Sequence, residues 1–189
     1  VSTFKVILQK LGKAFQHREI PYMIIGGQAV LLYGEPRLTR DIDVTLGVST
    51  DRLSDIMGIA EELDLAPLPE DAQAFVEKTM VLPCLEEGSG IRVDFIFSFS
   101  PYESEAIRRA HAVSIEGQDV AFARAEDVVI HKVVAGRPRD MEDARSILIR
   151  NPELDLDIIR RWLREFDQSM EGRTFLKDFE ELLIRIRMQ

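Results

Sequence analysis

Over residues 2–18, apolar positions recur every third or fourth residue. Phe4, Ile7, Leu8, Leu11 and Phe15 fall on one face, which predicts an amphipathic packing helix. Ile20-Pro21 ends it, because the residue before a proline avoids helical geometry. The period then shortens. Tyr22–Ile25 is an unbroken apolar run of strand length. It leads into Gly26-Gly27, a helix-like segment Gln28–Tyr33, and Gly34 as a stop. Asp41-Ile42-Asp43-Val44 alternates polar and apolar as a strand does. Ser49-Thr50-Asp51 caps a predicted helix Arg52–Leu63. The proline-bearing stretch after it reads as a loop leading into a short helix. Met80–Leu85 and Ile91–Phe97 predict a hairpin, Pro101 opens a helix over 101–110, and Val113–Ile115 with Asp119–Phe122 predicts a second hairpin. Strand signals end there. Glu126–Ala135 is helical, Gly136 stops it, and Pro138 starts another helix. Leu156–Phe166 and Thr174–Met188 close the chain with strong helical periodicity, Trp162 falling on the apolar side. The pattern is α/β in the α+β sense: a mixed sheet flanked by helices over 1–124, then a helical region over 125–189.

Composition adds limits. The 189 residues allow one sizeable domain with a helical appendage. No apolar run approaches a membrane span, and the N-terminal helix, interrupted by Lys5, Lys10 and Lys13, lacks the form of a secretion signal. Membrane partners are therefore not expected. Cys84 is the single cysteine, so no internal disulfide can form, which fits a reducing cytoplasm. The net charge of −9 is uneven: residues 51–105 hold 13 acidic and 3 basic side chains. Non-specific binding to nucleic acid is not expected of the molecule as a whole.

The candidate chemistry lies in residues 22–43 and in two later stretches. Asp41 and Asp43, two apart on a strand, point to one face. Gly26-Gly27, where a strand turns into a helix, lets the backbone approach a ligand closely, and the helix N-terminus favours an anion. Asp94 is a carboxylate inside an otherwise hydrophobic strand. It reads either as an ion pair with Arg92 on an exposed face or as a third carboxylate of a metal site. Asp140 and Asp143 share one face of the helix that Pro138 starts, and a solvated helical hairpin with surface ion pairs would account for them.

The run Arg37-Leu38-Thr39-Arg40-Asp41-Ile42-Asp43, together with Gly26-Gly27 and the 13 residues between glycines and aspartates, resembles the signature of the polymerase-beta-like nucleotidyltransferase superfamily. It looks like the AbiEii/AbiGii toxin-like bacterial branch, and Lys132, Asp140 and Asp143-Ala144 are similar to the later motifs of that branch. The wider superfamily has Gly-Ser where this chain has Gly26-Gly27. The resemblance implies a catalytic core over 1–124 and a region 125–189 that completes the nucleotide site. It implies Asp41, Asp43 and Asp94 as catalytic and metal-binding residues for Mg2+ or Mn2+. Gly26, Gly27, Arg37, Thr39, Arg40, Lys132 and Asp140 are the implied nucleotide-binding residues. The implied reaction moves a nucleoside monophosphate from an NTP to an acceptor (tRNA, another RNA, a protein or a small molecule) and releases pyrophosphate. A toxin or antitoxin is an implied partner. The competing reading keeps the fold but not the catalysis, leaving a nucleotide- or partner-binding module. A kinase has little support, since neither a P-loop nor a His-Arg-Asp set occurs.

Overall fold

The computed structural model describes residues 2–98 and 100–188. It divides into two compact units. The first runs to Gln28 and resumes over Leu38–Ala123; the second comprises Ala29–Arg37 and the chain from Arg124 onward.

The first unit is built on a seven-stranded mixed sheet. Its strands are β1 (Tyr22–Ile25), β2 (Asp41–Leu46), β3 (Leu65–Pro67), β4 (Val81–Glu86), β5 (Ile91–Phe97), β6 (His111–Ile115) and β7 (Gln118–Phe122), in the order β3-β4-β5-β2-β1-β7-β6. Both predicted hairpins form, as β4–β5 and β6–β7. The sheet also contains two parallel pairings, β2 with β5 and β1 with β7, which hairpin reading does not anticipate. Strand β3 replaces part of the expected loop after residue 63. It is a three-residue edge strand, short enough to leave no periodic signal, and it pairs antiparallel with β4.

Helix α1 (Thr3–His17) lies against β7. A Cβ on Gly12 would come within 3.1 Å of Val120, so the missing side chain sets the close approach. Phe15 packs edge-on to Phe95 at 6.2 Å, and both are fully buried, as are Ile24 and Ile42. Helix α2 (Gly26–Tyr33) begins at the first glycine, two residues earlier than the pattern predicts. The expected helix start after Ser49 is a single 3-10 turn, Thr50–Arg52, continuing into α3 (Leu53–Glu62). Helices α4 (Ala72–Thr79) and α5 (Pro101–Arg108) complete the unit. Each is capped by a side chain, Asp71 and Ser100 respectively.

The second unit is helical: α6 (Ala125–Ala135), α7 (Pro138–Arg150), α8 (Leu156–Ser169) and α9 (Phe175–Arg187), with the part of α2 from Ala29 on. Gly136 ends α6 in the left-handed conformation, as the Gly-then-Pro punctuation predicts. Ile130, Val133, Ile147, Ile159, Leu163 and Phe179 form its core. Arg160, on the polar side of α8, pairs with Glu180 of α9. No helix among the described residues is long and apolar enough to cross a membrane.

Candidate active site

In the first unit, the parallel register of β2 and β5 sets Asp43 beside Asp94 and Asp41 beside Arg92. Between them, Ile42, Val44, Val93 and Phe95 are completely buried. The sheet therefore turns its apolar side to the core and carries Asp41, Asp43, Arg92 and Asp94 on the opposite face. β1 ends with Ile25 opposite Asp43, and the chain turns at once into α2. Gly26 has φ +63°, and a Cβ there would overlap the Asp43 carboxylate. A Cβ on Gly27 would overlap the Thr39 hydroxyl, which donates a hydrogen bond to Asp41 Oδ1. Both glycines are thus required by close approach, one by a carboxylate and one by the hydroxyl that holds its neighbour.

Arg92 Nε donates to Asp94 Oδ1 at 2.6 Å. This hydrogen bond, with the charges of Asp94, Asp41 and Asp43, raises the guanidinium's pKa, and burial opposes the rise. Asp94 is thus ion-paired with Arg92, and the register also sets it beside Asp43. Among the described residues, no group of three or more His, Cys, Asp or Glu side chains is gathered closely enough to hold a metal ion. Arg92 holds Asp94, and Thr39 holds Asp41. The donor set itself fits a hard divalent cation: three carboxylates on one sheet face, with a glycine backbone against one of them. Within β4, opposite Val93, burial foremost and then the Asp94 charge push the Cys84 thiol up to about 12, which disfavours the reactive thiolate. Arg40 is exposed and lines a shallow cleft of about 530 Å³ with Ser2, Phe4 and Ser89–Ile91, its carbonyl accepting from the Arg92 N–H.

In the second unit the surface reading of Asp140 and Asp143 is corrected. Lys132, Asp140 and Asp143 are all buried. Lys132 Nζ lies 2.8 Å from Asp140 Oδ1 and 2.9 Å from Asp143 Oδ2. Arg37 takes Asp143 with two parallel bonds, 2.9 and 3.0 Å, and Arg137 Nε donates to Asp140 at 2.6 Å. Burial would raise the Asp140 carboxyl, but the bonds and charges of Lys132 and Arg137 outweigh it and hold it below the ordinary range. Two of the three Lys132 donors are used within this network. The pairing of Arg37 with Asp143 spans 106 residues and leaves no local sequence signal. Arg92 was visible in the sequence as a same-face neighbour of Asp94, but its relation to Asp41 and Asp43 depends on the parallel register.

A family model described as "Nucleotidyltransferase of unknown function (DUF6036)" matches residues 2–187. The chain belongs to this nucleotidyltransferase family. Its mixed sheet with flanking helices is the fold of solved nucleotidyltransferases. The antibiotic-resistance factor ANT(2'')-Ia, solved with adenylyl-2''-tobramycin, superposes with a TM-score of 0.59 at 20% identity, over 89% of this chain and 98% of that one. An antigenic nucleotidyltransferase-like protein from Paracoccidioides brasiliensis gives 0.55 at 17% identity, over 92% of both chains. The lincosamide antibiotic adenylyltransferase LnuA, lincomycin-bound, gives 0.53 at 13%, over 78% of this chain and 96% of that one. At these identities the likeness shows the fold alone. No curated protein sequence matches the chain. This DUF6036 member thus shares its architecture with enzymes named for adenylyl transfer to antibiotics.

Proposed function

We propose that this DUF6036 nucleotidyltransferase transfers a nucleoside monophosphate from an NTP to an acceptor hydroxyl, using Asp41, Asp43 and Asp94. The observation that carries the reading is the β2–β5 register, which sets Asp43 against Asp94 with Asp41 on the same face and Gly26 in contact range of Asp43. Asp41, Asp43 and Asp94 would hold Mg2+ or Mn2+, which, when bound, neutralises triphosphate charge and stabilises the attacking and leaving oxygens. The chain's own part is binding and orientation. The first N–H groups of α2 have no intrahelical partner and would donate hydrogen bonds to phosphate oxygens. Thr39 fixes the Asp41 carboxylate. Asp94 takes the acceptor's proton as its oxygen bonds to the α-phosphorus and the bond to pyrophosphate breaks. In keeping with the resemblance to the AbiEii/AbiGii branch, a toxin–antitoxin or phage-defence setting is part of the proposal, with ATP as one candidate donor. RNA, protein and small molecules remain the acceptor classes.

The test is calorimetric titration of the four NTPs with Mg2+ on wild type and on Asp41→Ala/Asp43→Ala, followed by assay of pyrophosphate. Metal-dependent binding that the double variant loses supports the reading. Binding and biological effect that survive the double variant would leave a binding module in its place. Lys132→Met in the same titration reads the nucleotide role that the resemblance implies for Lys132, with Arg37 and Asp140 joined to it through the buried network.

A further inference from the structure

We propose that Arg92 is the resident counter-ion of the carboxylate site, occupying Asp94 in the metal-free protein so that a divalent cation binds only by displacing it. The inference rests on the assignment of Asp41, Asp43 and Asp94 as metal ligands and goes beyond it, because no role has been given to this arginine.

Three carboxylates on one face of a sheet repel one another, and some cation must offset that repulsion for the strand pair to be stable without metal. Arg92 is placed to do so. It is two residues before Asp94 on the same face and in register with Asp41 on the adjoining strand. Its Nε holds Asp94 Oδ1 at 2.6 Å, and all three carboxylate charges act on its guanidinium. The pair is asymmetric: the Arg92 side chain is 50% exposed and that of Asp94 17%. The guanidinium can therefore swing into solvent while the carboxylate stays in the site. An ordinary surface ion pair is worth little. What distinguishes this one is its target, a carboxylate assigned above as a metal ligand.

The experiment is a titration with Mn2+ alone, followed by the loss of the free-ion electron paramagnetic resonance signal. The proteins are wild type, Arg92→Gln, Arg92→Met, Arg92→Lys and Asp41→Asn/Asp43→Asn. Removing a positive charge a few ångströms from the bound ion is expected to tighten Mn2+ binding about tenfold in Arg92→Gln and in Arg92→Met. Arg92→Lys, which keeps the charge, is expected to stay within about threefold of wild type. Asp41→Asn/Asp43→Asn is expected to bind no Mn2+. If Arg92→Gln and Arg92→Met bind Mn2+ no more tightly than wild type while the Asn variant loses it, the counter-ion role is wrong and the metal site stands. If wild type and the Asn variant behave alike, the metal-site assignment fails and the counter-ion role fails with it. Two neutral variants are included so that a folding defect in one, seen by circular dichroism, leaves the other to decide.

Discussion

At the scale of single residues, the site depends on side chains that are missing as much as on those present. Gly26 combines φ +63° with a position where any Cβ meets the Asp43 carboxylate. Gly26→Ala therefore faces both backbone strain and a displaced ligand. It is expected to lower stability in urea by at least about 1–2 kcal/mol. It is also expected to abolish metal-dependent NTP binding by calorimetry; retained binding would show that the close approach is not needed. The sequence marked this position through the Gly-Gly pair at a strand-to-helix turn. It did not indicate which carboxylate the glycine meets, because that depends on β1 pairing antiparallel with β2 so that Ile25 lies opposite Asp43.

At the scale of elements, α6 carries titratable groups inside an apolar helix. Burial, which outweighs the opposing pull of Asp127, lowers the His131 pKa to about 4, with Lys132 adding to the fall. In the unfolded chain the imidazole titrates near its ordinary value of about 6.5. Between these values the unfolded state binds more protons, so stability falls as pH drops from about 6.5 toward 4 and this group adds no further change below. Asp140 acts in the next window. Its depressed pKa supplies stability that is present above the ordinary carboxylate value and is lost as pH falls below it. His131 keeps a partly accessible surface, so its share of the loss between pH 7 and 4.5 is held to about 1–2 kcal/mol. Urea denaturation of His131→Gln at both pH values is expected to show that much less pH dependence than wild type. An unchanged slope would mean that other groups dominate acid destabilisation.

At the scale of the molecule, charge is the property most open to test. The first unit holds 10 basic and 18 acidic side chains, and the second 14 and 15. A fluorescent single-stranded RNA is therefore expected to show no anisotropy change with up to about 10 μM protein at about 0.15 M salt. Binding with a steep salt dependence would instead reveal a local basic track. The charge balance, the packing helices, both hairpins and the Gly136–Pro138 junction were legible in the sequence, because each follows from local periodicity or from the backbone preferences of Gly and Pro. The Asp41/Asp43 pair was legible for the same reason, since strand alternation is a local rule. Only the tertiary structure made Asp43 and Asp94 neighbours, through a parallel pairing between strands separated by two other strands. Only it turned Asp140 and Asp143 from apparent surface charges into a buried network with Lys132 and Arg37, and set Arg92 in register with Asp41 while it pairs with Asp94. Those relations are contacts between distant segments. Their energies depend on register and burial, which periodicity along the chain does not encode.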